Sequence, residues 1–270
     1  MSNSRRPEGS RSWLRPALAG GVLLLALVPI VVALLINGGN GPGPGPSAAA
    51  SVFTPVAAAK PSSAHRSRLG GPGRGAVVAV VRDVTKMRSR PWGPTIATVG
   101  TRTGFGSPQA VWVVRRSGGW LGVISPQAGN GHVGWIPAAD TTLGRVNWEL
   151  EVSLSARRLT VLHDGRTLER YTVAIGQPGA PTPTGRFAVT DRLRTGDPSG
   201  PYGCCILALS AKAPHAIQDW SGGNRIAIHS TPETSTIGEP VSHGCLRLTL
   251  AEGRWLLNHI PLGTPTLISS

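Results

Sequence analysis

Beyond Gly75 the apolar runs of this chain are short, and most end at Gly, Pro, Ser or Asn. AVVAVV, TIATVG, AVWVVRR, WLGVIS and GHVGWIP follow one another in this way up to about Leu143. With 36 Gly and 24 Pro in 270 residues, helices are interrupted too often for a mostly helical fold. Regular short runs instead predict a small all-β domain or barrel over residues 73–144. A second β pattern fills residues 145–270. There WELEVSLSARRLTVLHDGRTLERYTVAIG holds three strand-like runs, with Asp164-Gly165 as a hairpin turn pair. Only LAEGRWLLNH, from Leu250 to His259, reads as a helix, and PLGTPTLIS closes the chain as a strand. Strands with one short helix imply a β-dominated sandwich, so the fold class is mainly β.

The N-terminal part has a different texture. Ala17 to Ile36 carries no charge and has the length of a membrane-spanning helix at about 1.5 Å per residue. Residues 1–16 hold Arg5, Arg6, Arg11 and Arg15 against Glu8, a basic flank that stays cytoplasmic. The expectation is a single-pass anchor at 17–36, with everything after it on the extracytoplasmic side. A cleaved signal peptide is the rival, but its small-residue site would be Ala48-Ala49-Ala50, well beyond Ile36. Residues 37–72 begin NGGNGPGPGPSAAAS and read as a Gly/Pro/Ala/Ser-rich spacer.

The formal net charge is +14, which asks for a polyanionic partner. Its distribution is uneven. Residues 145–270 carry 12 bases and 10 acids, while 37–72 carry three bases and no acid and 73–144 carry eight bases and two acids. The excess outside the membrane therefore lies on the spacer and the first β module. Anionic wall polymers or lipid headgroups are the expected partners there. An exported chain without a nucleic-acid motif is not expected to bind nucleic acid.

The chemistry concentrates in RIAIHSTPETSTIGEPVSHGCLRL, residues 225–248. A strand-like run delivers His229, a Gly-containing loop follows, and Ser242-His243-Gly244-Cys245 opens a run reaching Arg247. A nucleophilic Cys must be thiolate, so it needs a base, and an oxyanion needs backbone N–H donors. Two imidazoles and a Gly beside Cys245 supply these parts. Taken alone, one Cys and two His fit a small buried Cys with surface histidines equally well. A zinc site has only His-x-Cys close in sequence, with no CxxC or HxxxH partner, so neither metal nor cofactor is expected.

The wider pattern is more specific. IHSTPETSTIGEPVSHGCLRL resembles the active-site segment of the L,D-transpeptidases, bacterial wall cross-linking enzymes. SARRLTVLHDGRTLERYTVAIG resembles their opening hairpin, PTPTGRFAV their Thr-Pro-x-Gly-x-aliphatic signature, and PLGTPTLI their closing strand. The resemblance covers about Asn147 to Ile268. It implies that Cys245 attacks a stem tetrapeptide of peptidoglycan, forms a thioester and passes the acyl group to a neighbouring stem, giving a 3→3 cross-link. Transfer to water would make the same enzyme an L,D-carboxypeptidase. His229 would be the base, oriented by the backbone carbonyl of Ser230. Amides around Gly244 and Cys245 would receive the oxyanion. Ser242, His243 and Arg247 would position substrate or fix the loop. Arg247 is equally readable as a receptor for a stem carboxylate or as a buried structural pair.

WLGVIS followed by GHVGWIPAAD resembles a bacterial SH3-like domain, a module that binds wall material or packs against a catalytic domain. Most of Trp92, Trp112, Trp120 and Trp135 are expected as core or rim packing, with sugar or peptide stacking by one of them as the lesser reading. Many L,D-transpeptidases have Gly where this chain has Ser230. Cys204-Cys205 is a second departure: small buried side chains are the favoured reading, and a vicinal disulfide in an oxidising exterior the alternative. Two rival functions stand beside the transpeptidase. One is a non-catalytic wall-binding protein. The other is a papain-like thiol hydrolase, disfavoured because that type generally places Cys before His.

Overall fold

In the computed structural model, residues 54–55, 75–214 and 223–270 are described, and they belong to one compact unit. The expected cytoplasmic tail (1–16), anchor (17–36) and most of the 37–72 spacer lie outside the described residues. Among those described, no helix is long and apolar enough to cross a membrane. Within the spacer, β1 (Thr54–Pro55) pairs antiparallel with Leu193 and Arg194, so at this point the spacer joins a sheet.

The first β pattern folds as a seven-stranded sheet. Its strands are β2 (Ala76–Val81), β3 (Thr85–Arg88), β4 (Thr95–Val99), β5 (Ala110–Ser117), β6 (Trp120–Ile124), β7 (Gly134–Pro137) and β8 (Thr141–Val146). Their spatial order is β4-β3-β7-β6-β5-β2-β8. Met87, Val111, Leu121, Val123 and Ile136 fill its core. Trp120 is buried and Trp112 and Trp135 are half-buried, as expected for packing residues. Trp92 differs: it is 81% exposed and meets the Trp120 ring edge-on at 5.2 Å.

The second pattern begins with β9 (Trp148–Ser153), β10 (Arg158–His163) and β11 (Arg166–Thr172). Asp164 and Gly165 form the β10–β11 turn with φ of 54° and 72°, the positive pair that a tight hairpin demands. Then come β12 (Ile175–Gly176), β13 (Gly185–Arg194), β14 (Cys205–Lys212), β15 (Arg225–Ser230), β16 (Pro240–Ser242), β17 (Leu246–Leu248), α1 (Leu250–His259) and β18 (Pro265–Ser269). One ladder runs β11-β10-β9-β18-β13-β14-β15-β17, with β1 added at β13, while β12 and β16 pair separately.

Strand β13 joins the two halves of this ladder. Gly185 to Ala188 pair with β18, whereas Val189 to Arg194 pair with β14, and the register shifts between Val189 and Asp191. A bulge of this kind bends a strand and redirects its side chains. Both halves then line one apolar core that includes Leu150, Leu159, Phe187, Leu207, Ile228 and Leu246. Helix α1 closes that core through Leu256 and Leu257. It starts where the sequence predicts because Thr249 and Glu252 form a reciprocal capping box, with Thr249 N donating to Glu252 Oε2 at 2.8 Å.

The two sheets share contacts. Val78 and Ala110 of the first belong to the core of the second. Asn130 Nδ2 donates to Lys212 O at 2.7 Å and its Oδ1 accepts from Lys212 N at 2.9 Å. Thr103 donates its hydroxyl to Asp191, which is fully buried.

Candidate active site

Side chains alternate between the two faces of a strand. On β15, Ile226 and Ile228 enter the main core, so Ala227 and His229 face the other way. On β17, Leu246 and Leu248 also enter the core, leaving Arg247 on that same opposite face. The parallel register sets His229 beside Arg247 and Ile228 beside Leu246. Cys245, just before β17, packs there with Leu193, Ile206 and Ala227. The fold thus gathers Cys245, His229 and Arg247 on one face from strands that are neighbours in space.

His229 is 2% exposed, and its Nδ1 lies 2.8 Å from the Ser230 carbonyl oxygen. A carbonyl only accepts, so Nδ1 carries the proton and Nε2 is left with its lone pair. Burial pushes the imidazole pKa down to about 4; the Ser230 hydrogen bond opposes this and the Arg247 charge adds to it. Cys245 is 7% exposed, and burial raises its thiol to about 11 against the opposing pull of a backbone hydrogen bond from Ala227 and the Arg247 charge. At neutral pH both groups are therefore uncharged. Arg247 is half-buried, and its Nε has no hydrogen-bond partner among the described residues.

The turn before Cys245 is fixed from within. Ser242 Oγ donates to Cys245 O at 2.6 Å and accepts from Gly244 N at 3.1 Å. The Gly244 amide, expected at an oxyanion, is thus already bonded. Gly244 has a φ of 111°, which a residue with a side chain rarely adopts, and a Cβ there would press on Ile226. His243 is exposed, apart from these buried contacts.

Two supports of the site lie outside the residue 225–248 segment. Thr182 is buried, its Oγ1 donating to Gly244 O at 2.9 Å and accepting from Gly176 N at 2.9 Å. The PTPTG motif was the available signal, but nothing in it gave Thr182 a partner. Tyr202 meets the His229 ring edge-on at 4.9 Å.

Ser230 contributes more than its carbonyl. Its hydroxyl accepts from Cys205 N at 3.2 Å, donates to Tyr202 O at 3.4 Å and lies 3.5 Å from Cys204 Sγ. Cys204 and Cys205 form a disulfide, which corrects the favoured expectation of two separate buried side chains. The physical reason is local: Gly203, in a left-handed conformation (φ 54°), turns the chain into β14, so the adjacent cysteines lie at a bend. Cys245 remains the free cysteine. Among the described residues, no group of three or more His, Cys, Asp or Glu gathers as a metal site.

Residues 147–268 match the family model of the L,D-transpeptidase catalytic domain (YkuD). The chain is 31% identical over 124 residues to the Bacillus subtilis protein named as L,D-transpeptidase YkuD, covering 46% of this chain and 67% of that relative. It is 30% identical over 128 residues to L,D-transpeptidase YqjB of the same organism, covering 44% of this chain and 69% of the relative. A crystal structure of an L,D-transpeptidase from Mycobacterium tuberculosis H37Rv aligns at 22% identity and a TM-score of 0.39, covering 51% of this chain and 72% of that one. The chain belongs to the L,D-transpeptidase family, with its catalytic domain in residues 147–268.

Proposed function

We propose that this protein joins peptidoglycan stem peptides through a thioester on Cys245, forming 3→3 cross-links. The observation that carries the reading is the shared sheet face of Cys245 and His229, with His229 Nδ1 bound to the Ser230 carbonyl. That tautomer leaves Nε2 as the base. The Cys245 proton passes to Nε2 as sulfur attacks the carbonyl between the third and fourth stem residues. The tetrahedral oxyanion collapses, the C–N bond breaks, and His229 returns the proton to the leaving amine of the terminal D-residue. An amine from a neighbouring stem then attacks the thioester and gives its proton to His229. The thiol is restored when that proton reaches Cys245. Water in place of the amine gives L,D-carboxypeptidase activity from the same intermediate.

Thiol and imidazole are both neutral at rest, so the Cys245 proton moves to His229 together with attack on the substrate. Ser242 fixes the turn. Arg247, beside both groups, stabilises negative charge on sulfur and, in this reading, receives a stem carboxylate. His243 lies on the exposed side and positions substrate. Residues 73–144 act as an SH3-like module that, with the basic spacer, holds anionic wall polymer. Residues 17–36 anchor the chain in the membrane with the catalytic domain, residues 145–270, on the wall side.

Muropeptide analysis of sacculi treated with the full chain tests this. The expected products are 3→3 dimers and a released D-amino acid, absent with Cys245→Ala. Cleavage within a stem or bridge with no released D-amino acid would point to a thiol endopeptidase instead.

A further inference from the structure

The face that carries Cys245 is not built by the catalytic sheet alone. Two half-buried hydrophobic residues pack against the group Leu193, Ile206, Ala227 and Cys245: Tyr202, from the turn before β14, and Phe105, from the seven-stranded sheet. Phe105 sits in the loop between β4 and β5, at the tip Gly104-Phe105-Gly106.

That loop is held in a set shape and at a set place. Gly106 N donates to Thr103 O at 3.0 Å, and Thr103 N to Ser107 O at 2.9 Å. The Thr103 hydroxyl accepts from Phe105 N and from Ser107 N, each at 3.2 Å, while donating to Asp191. Asp191 is fully buried and faces Arg225 Nη2 at 4.0 Å. Asp191 and Arg225 belong to β13 and β15, the strands that also carry Leu193, Ala227 and His229. One hydroxyl therefore shapes the loop tip and ties it to the catalytic sheet. The tie delivers an aromatic ring to the apolar group around the nucleophile. The Thr103–Asp191 bond, one of the contacts that join the two sheets, thereby also fixes the loop tip that carries Phe105.

We infer that Phe105 is a specificity-determining residue of the catalytic cleft, supplied by the first β module. With Tyr202 it forms an aromatic rim over a buried floor of Leu193, Ile206 and Ala227. The hydrocarbon part of the acyl donor beside the scissile carbonyl rests on that rim. This rests on the reading of Cys245 as the nucleophile that takes an acyl group from a stem peptide. Apolar side chains packed on the group that holds a 7% exposed thiol take apolar surface, so their contribution is to binding and register of the donor, not to proton transfer. It also gives the first module a direct part in the reaction.

The test uses the full chain with Phe105→Ala and the milder Phe105→Leu. A stem tetrapeptide serves as donor and iodoacetamide as a small thiol reagent that needs no rim. With the tetrapeptide, Phe105→Ala is expected to lose about tenfold in kcat/KM, carried by KM, and Phe105→Leu about threefold. Alkylation of Cys245 by iodoacetamide does not slow in either variant. If Phe105→Ala fails to fold, the raised KM of Phe105→Leu decides. Variants that match the wild type with the tetrapeptide overturn the inference alone. So does a parallel fall in tetrapeptide and iodoacetamide rates, which marks a packing role. A wild-type chain alkylated by iodoacetamide but never acylated by the tetrapeptide overturns the parent reading and this inference with it.

Discussion

The carbonyl oxygen of Ser230 lies 2.8 Å from Nδ1 of His229, the residue just before it. A strand normally spends its carbonyls on the neighbouring ladder; here one fixes the tautomer of the adjacent imidazole. The same residue uses its hydroxyl to hold Cys205 N and Tyr202 O. Ser230 therefore connects His229 to the turn whose aromatic ring packs on it. Replacing Ser230 by Gly should keep the carbonyl and lose the hydroxyl network. The expected outcome is a loss of stability of about 1–2 kcal/mol in chemical denaturation, with acylation reduced less than tenfold.

Burial of His229 has a consequence for stability. The folded pKa is about 4 and the ordinary value is 6.5, so above pH 6.5 both folded and unfolded states hold it neutral. Between those values the unfolded chain binds a proton that the folded chain refuses. Stability is thus present above pH 6.5 and falls as pH drops toward 4, by about 3 kcal/mol from this group. Denaturant melts across that range should show the slope, and His229→Gln should flatten it. The same variant should cut acylation of Cys245 by a factor on the order of 100 or more.

The thiol gives the opposite sign. Its folded pKa is raised from 9.0 to about 11, so its stabilising effect is present below pH 9 and lost as pH rises toward 11. Resting Cys245 is then a poor nucleophile at neutral pH. Its alkylation by iodoacetamide should climb steadily above pH 8 without levelling off near 7. A rate plateau at neutral pH would mean a preformed thiolate–imidazolium pair.

Ser242 Oγ bridges Gly244 N and Cys245 O while itself fully buried. Ser242→Ala leaves both backbone groups without that partner. The cost expected is about 1–3 kcal/mol, together with a fall in kcat for the acyl transfer. Thr249→Ala offers a contrast: it removes the α1 capping box, which lies beyond β17, and should cost about 1 kcal/mol of stability with little change in kcat/KM. Equal activity losses in the two variants would argue that the turn has no special role.

Local features were the most legible in the sequence. Leu250–His259 is the predicted helix residue for residue, because its cap and its length are written within ten or so positions. The Asp164-Gly165 turn was readable for the same reason. The candidate residues His229, Ser242, Gly244, Cys245 and Arg247 stand out in the sequence because one short segment holds them all. What stayed hidden depends on distant partners. Thr103 and Asp191 are 88 positions apart, and no periodicity links them. The Thr54–Pro55 pairing with β13 depends on a bare backbone edge. The Cys204–Cys205 bond follows a bend at Gly203, and for these two cysteines the sequence left two outcomes open. Ser230 was read for its carbonyl alone, because the partners of its hydroxyl lie at least 25 positions away.

In the proposed reaction Cys245 carries the acyl group. The intact mass of the full chain, measured after mixing with a stem tetrapeptide and quenching in acid, tests it most directly. The expected result is an added mass equal to the tetrapeptide less its terminal D-residue, seen in the wild type and absent from Cys245→Ala. An adduct that persists in Cys245→Ala, or a wild type that stays unmodified while releasing D-amino acid, would contradict it.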